Sequence, residues 1–200
     1  MVAVLNNRGV KGGDNMAWIR VIDENNAMGE LKETYEFVRK RRGKISNVMR
    51  LHSLNPKAMQ AHIELYLTLM FGQSGLARED RELIGVAVSS ANNCEYCVQH
   101  HAMALNHYWK DNTRVRALTQ KCDSAGLPNR QYHMALYARK LTMTPGKISK
   151  EDIDTLRKWG FSDNDILDIN LITAYFCFVN RIVMGLGAEF TPSEMSGYKY

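Results

Sequence analysis

Glu82, Cys94, Cys97 and His101 are the residues whose types and spacing suit chemistry. They fall in one stretch, ELIGVAVSSANNCEYCVQHH. Cys94 and Cys97 form a C-x-x-C pair, and His101 follows four residues after the second cysteine. On a helix with 3.6 residues per turn these three side chains share a face. A dithiol near an imidazole and a carboxylate suits redox chemistry at sulfur, because the thiolate is the reactive form and a base must generate it.

The spacing of Glu82 makes a demand on the fold. In one straight helix Glu82 would lie about 22 Å from Cys97, at roughly 1.5 Å per residue. The intervening Ser89-Ser90-Ala91-Asn92-Asn93 offers a break, since Ser and Asn compete with the helix backbone and favour caps. One helix is therefore expected to end near Ser90, and a second to begin with Asn93 as N-cap. The chain reverses there and returns Glu82 to the second helix. Cys94 and Cys97 then occupy its first turn, where free N–H groups and the helix dipole lower a thiol pKa.

The rest of the chain reads as helix. Met28, Leu31, Tyr35 and Val38 recur at helical spacing up to Gly43. Asn55-Pro56 opens a second run, with Met59, Ile63, Tyr66, Leu67 and Met70 inward and Gly72 at its end. Arg78 starts the helix that carries Glu82. Asp111-Asn112-Thr113 restarts the chain for a short helix with Val115, Leu118 and Cys122, stopping at Gly126. Leu127-Pro128 begins another, with Tyr132, Leu136 and Leu141 along it. Ser149 and Ser162 cap the last two. The final run, Ile166 to Leu186, is apolar almost all round and is expected to be a buried central helix. No segment alternates as a strand does, so the fold is expected to be all-α. A shift of 83 residues lays Asp165 on Glu82, Cys177 on Cys94, Asn180 on Cys97 and Met184 on His101, a weak sign of two degenerate helical halves.

Two hundred residues, 45% of them apolar, suit one domain over 16–200 behind a flexible tail over 1–15. Four cysteines with one C-x-x-C fit a reducing, cytoplasmic setting better than a secreted disulfide scaffold. The N-terminus lacks a signal-peptide apolar core, and no charge-free apolar stretch of membrane length is read, so no membrane span is expected. The net charge of +5 has one dense source, Arg39-Lys40-Arg41-Arg42-Gly43-Lys44. Without interleaved aromatics it reads as a solvated helix end before a Gly stop, and no nucleic-acid partner is expected. Met59, Met70 and Met103 read as core or subunit interface, and Cys122 and Cys177 as buried packing residues. His100 and His107 share a different helix face from His101 and read as surface or interface residues.

Glu82, Cys94, Cys97 and His101 with their flanks, RELIGVAVSSANNCEYCVQHHAMAL and later FVNRIVMGLG, resemble the carboxymuconolactone decarboxylase superfamily, and within it the AhpD-like alkylhydroperoxidases and their peroxidase-related subgroup. The likeness spans about Trp18 to Phe190. It implies an AhpD-like helical fold, a homo-oligomer (trimer or hexamer), and a thiol peroxidase without metal or other cofactor beyond a Cys94–Cys97 disulfide. It implies that Cys97 is the peroxidatic cysteine, Cys94 the resolving one, and Glu82 with His101 the proton relay. It implies a hydroperoxide substrate and an external dithiol reductant of lipoyl or thioredoxin type. One position departs: the family's alkylhydroperoxidases carry a further His just before the second cysteine, where this chain has Tyr96.

Other readings of the same residues stand beside this one. Two thiolates with His100 or His101 form a partial zinc site lacking a fourth ligand at usual spacing. A redox sensor, or a non-redox enzyme of decarboxylase type, is a further alternative. His101 is alternatively a core histidine, and Glu82 a solvated first-turn carboxylate.

Overall fold

A computed structural model describes residues 16–120, 125–190, 194 and 197. Among these residues the secondary structure is helical, with no strand. The first three helices are α1 (Gly29–Arg42), α2 (Asn47–Arg50) and α3 (Pro56–Phe71). Next come α4 (Arg78–Ala91), α5 (Glu95–Trp109) and α6 (Asn112–Gln120). The last three are α7 (Asn129–Met143), α8 (Lys150–Lys158) and α9 (Asp163–Leu186). The sequence punctuation explains most of these ends. Asn55 accepts from the Ala58 N–H ahead of Pro56, and Gly43 closes α1 in the left-handed region at φ 81°. Ser149 and Ser162 both form capping boxes, with Asp152 and Asp165. The expected tail over 1–15 and Cys122 lie outside the described residues.

Two apolar clusters hold the fold. The smaller joins α1, α2 and α3 through Leu31, Tyr35, Val38, Met49, Met59 and Ile63. The larger gathers Leu83, Ile84, Val86, Ala87 and Val88 of α4 with Leu105, Met134, Ala138, Ile169 and Phe176. Met59 and Met70, expected in the core or an interface, are fully buried, one in each cluster.

The central helix is α4, which packs on α5, α7 and α9. It buries Asp80, Arg81 and Glu82 along with its apolar residues. Buried charge is tolerated only where it is paired and hydrogen-bonded. Arg81 meets that condition by donating to the carbonyls of Leu69, Gly72 and Leu76 at 2.9–3.1 Å, which ties the end of α3 to the start of α4. Asp80 accepts from Gln131 at 2.8 Å and lies 3.3 Å from the Arg130 guanidinium.

This corrects the expectation for the last helix. α9 is long and apolar enough to cross a membrane by length and composition, but Asp163, Asp165, Asp168 and Arg181 lie in it, so it is not the charge-free stretch that the sequence was read to lack. It is not buried all round: Ile169, Ile172, Phe176 and Val183 face the core, while Leu167, Leu171 and Phe178 are 56%, 40% and 47% exposed. On α7 the buried residues are Met134, Ala135, Tyr137, Ala138 and Thr142, and Leu136 is exposed. The correspondence by 83 residues fails at its centre as well. Asp165 to Met184 is one continuous helix, whereas Glu82 to His101 spans two helices and a reversal.

Candidate active site

The reversal is a Schellman motif between α4 and α5. Asn93 takes φ 57°, the Asn93 N–H donates to the Ser90 carbonyl at 3.1 Å, and the Cys94 N–H donates to the Ser89 carbonyl at 2.9 Å. Asn is among the residues that tolerate the left-handed region, and so fits a sharp stop without glycine. The N-cap of α5 is therefore Cys94 and not Asn93. Asn93 is instead the turn residue itself, and Cys97 is the third residue of the helix. The same cysteine ends one helix and starts the next.

The reversal brings Glu82 and His101 together. His101 Nδ1 donates to Glu82 Oε2 at 2.6 Å, and Arg78 Nη1 lies 2.6 Å from Glu82 Oε1. Glu82 is 1% exposed. Burial alone would push its carboxyl up, but the charges and hydrogen bonds of His101 and Arg78 outweigh burial and hold it below 4.5. With Nδ1–H committed to the carboxylate, Nε2 is the nitrogen of a neutral His101 that is able to take a proton. Packing fixes the ring. His101 sits edge-on to Phe176, with centroids 4.3 Å apart. A Cβ at Gly85 would meet both His101 and Phe176 at 3.0 Å, so the relay depends on a glycine inside α4.

The two sulfurs lie 2.8 Å apart, both as free thiols and both buried. Their environments differ in direction. The hydrogen bond from Cys97 lowers Cys94 below the usual 9.0. The same bond, burial and the neighbouring charge raise Cys97 well above 9.0. The helix start thus does not lower both thiols, as the sequence had suggested, because two buried sulfurs this close do not readily ionise together.

Access selects between them. A cavity of about 100 Å³ is lined by Cys97, Glu82 and His101, and Cys94 is not among its lining residues. Val38, Ile63, Ala104, Phe176 and Val179 give it apolar walls, and Arg42, Lys44, Tyr96, His100 and Tyr175 add polar groups. It sits where the two apolar clusters meet.

Several lining residues were read differently, or missed, in the sequence. Arg42 belongs to the basic run but is buried, with its guanidinium 4.7 Å from the Phe71 ring and 5.2 Å from the Tyr66 ring. His100 lines the cavity and is not a surface residue; its ring lies 4.5 Å from that of Tyr96, and burial with nearby charge lowers it to about 3. His107, on the same helix, is exposed as read. Tyr96, at the family's extra-histidine position, donates to Glu194 Oε1 at 2.7 Å; Glu194 also accepts from the Asn47 N–H at 2.6 Å. Cys177 is half-buried and donates to Thr142 Oγ1 at 3.6 Å. Arg78 was legible as the i, i+4 partner of Glu82 but was not singled out. Among the described residues, no group of three or more His, Cys, Asp or Glu side chains is arranged to hold a metal ion.

Residues 56–140 match the carboxymuconolactone decarboxylase family. An AhpD-core, uncharacterized peroxidase-related protein from Ralstonia eutropha JMP134 superposes with a TM-score of 0.81 at 28% identity, over 90% of this chain and 95% of that one. An uncharacterized peroxidase-related protein from Silicibacter sp. TM1040 gives 0.82 at 28% identity, over 94% and 98%. The debrominase Bmp8 gives 0.73 at 18% identity, over 91% and 95%, a likeness that bears on the fold alone. A search of curated proteins finds no match. Residues 56–140 thus carry the likeness to the carboxymuconolactone decarboxylase family, and the helical fold is AhpD-like.

Proposed function

We propose that this protein is a thiol-dependent hydroperoxide reductase, and that it works in a reducing cytoplasm. The observation that carries the reading is a hydrogen-bonded Glu82–His101 couple, its carboxylate buried, lining the same cavity as Cys97. Cys97 has access but a raised pKa, so it needs the base that His101 supplies. Cys94 has the lowered pKa but no place on the cavity wall, which suits the resolving sulfur.

In this mechanism His101 Nε2 takes the Cys97 proton, and Glu82 stabilises the imidazolium. The thiolate attacks the terminal oxygen of the hydroperoxide, an S–O bond forms and the O–O bond breaks. The departing alkoxide takes the proton back from His101. Cys94 then attacks the Cys97 sulfenic acid and expels hydroxide, leaving a disulfide. An external dithiol of lipoyl or thioredoxin type reduces it by exchange. No metal or other cofactor enters. Arg78 holds Glu82 ionised throughout.

The exposed Leu167, Leu171 and Phe178 on one face of α9 support assembly as a homo-oligomer, a trimer or hexamer. The decisive experiment is mass spectrometry after hydroperoxide treatment. A Cys94–Cys97 disulfide should form in the parent protein, and a sulfenic acid on Cys97 should persist in Cys94→Ser. Stoichiometric zinc in the purified protein, with no peroxide-dependent loss of thiols, would sink the reading.

A further inference from the structure

A second polar group reaches the same cavity from a different helix. Tyr175 of α9 lines the cavity, and its hydroxyl lies 2.8 Å from His62 Nε2. His62 Nδ1 lies 3.1 Å from His52 Nε2, and His52 Nδ1 lies 2.9 Å from the Val48 carbonyl. Tyr175 and His62 are 6% and 4% exposed.

The Val48 carbonyl sets the direction of this chain. A carbonyl only accepts, so His52 Nδ1 carries a proton. In a neutral ring His52 Nε2 is then an acceptor, and His62 Nδ1 must donate to it. His62 Nε2 is left as an acceptor, so Tyr175 O–H donates to it. Both rings are neutral at pH 7, since burial pushes His52 down and takes His62 to about 3. Tyr175 does not ionise either, because burial raises it well above 10.0. The phenol therefore spends its one proton away from the cavity. Its oxygen keeps only acceptor capacity for whatever the cavity holds.

A hydroperoxide is a ligand with a hydrogen to give at its terminal oxygen, which is the oxygen a thiolate attacks. We propose that Tyr175 is the acceptor that seats the terminal O–H of a hydroperoxide beside Cys97, with His62 and His52 as positioning residues that turn the phenol proton away from the cavity. This inference rests on the peroxidase reading and adds the recognition of the reacting group. In the step it serves, the Cys97 thiolate forms the S–O bond and the O–O bond breaks. The alkoxide leaves with the electron pair and takes the proton held by His101. The O–H hydrogen remains on the new sulfenic acid. Sulfur is oxidised by two electrons, and the peroxide is reduced.

The test uses the Cys94→Ser protein, in which Cys97 reacts once, followed by peptide mass spectrometry. Two probes are compared. Cumene hydroperoxide carries the donor, and methyl methanethiosulfonate carries none. Tyr175→Phe should slow oxidation of Cys97 by the hydroperoxide about tenfold, the scale of one hydrogen bond. Its rate with the thiosulfonate should not change. His52→Leu, which does not touch the cavity, should slow the hydroperoxide alone by a smaller factor. Equal slowing with both probes would mean a merely structural tyrosine, and no slowing with either would mean no role; each overturns the inference while leaving the peroxidase reading intact. A Cys97 that no hydroperoxide oxidises overturns both. Independently of activity, nitrogen NMR of the unsubstituted protein should show His62 and His52 both protonated on Nδ1, and a proton on His62 Nε2 would also overturn the inference.

Discussion

The two walls of the cavity solve the problem of buried polarity in opposite ways. The Glu82 wall buries charge: a carboxylate held between Arg78 and His101, 2.6 Å from each. The Tyr175 wall buries none: a phenol on the cavity backed by two neutral imidazoles, each hydrogen-bonded to the next. A buried ion survives only if every partner stays, because removing one leaves an uncompensated charge. A neutral chain is less costly to disturb, but it carries direction, since each proton is committed one way. The first wall is therefore suited to moving a proton, and the second to holding a fixed acceptor.

The largest expected effect comes from breaking the charged wall. Cys97→Ser should abolish peroxide turnover, and turnover at the parent rate would remove Cys97 from the mechanism. Glu82→Ala should cost about 3 kcal/mol of stability, because the half-buried Arg78 and His101 lose their carboxylate. Denaturant unfolding checks this. Glu82→Gln keeps the shape and should mainly lower kcat/KM, by about 10²–10⁴.

Acid should act first through the histidines that burial keeps neutral. His62 and His100 have folded pKa values of about 3 against 6.5 unfolded, so between those values the unfolded chain binds the extra protons. Stability is then full above 6.5 and falls as the pH drops, by about 1.4 kcal/mol per pH unit for each histidine. Glu82, lowered from 4.5, adds its loss only below 4.5. Unfolding free energy measured from pH 7 to 4 should show this slope, and His62→Phe should reduce it by about one histidine's share.

The smallest effect should come from Gly85→Ala. A Cβ there meets His101 and Phe176 at 3.0 Å, so overpacking should cost about 1–3 kcal/mol. Peroxide turnover should fall as His101 shifts from Glu82. Unchanged turnover would show that the ring tolerates displacement.

The charged wall was legible in the sequence and the neutral wall was not. Glu82, Cys94, Cys97 and His101 lie within one stretch of two helices, so local spacing and the Ser/Asn break constrain their arrangement. His52, His62 and Tyr175 come from the segment after α2, from α3 and from α9, as far as 123 positions apart (175 − 52). No local periodicity links residues so distant. The central place of α4 was hidden for a related reason. Its first turn, Arg78-Glu79-Asp80-Arg81-Glu82, looks solvated until Leu69, Gly72, Leu76, Arg130 and Gln131 come in to satisfy it.

The sequence by itself determined that the chain is helical, where most helices start and stop, and that a dithiol, an imidazole and a carboxylate lie near one reversal. Caps, glycines and spacing are local, and local physics sufficed for them. Only the tertiary structure decided which sulfur faces the cavity, which charges are buried, and that His100, Arg42 and Tyr175 line the same space. Those outcomes depend on burial and on partners brought from remote helices, and neither is encoded in any single segment.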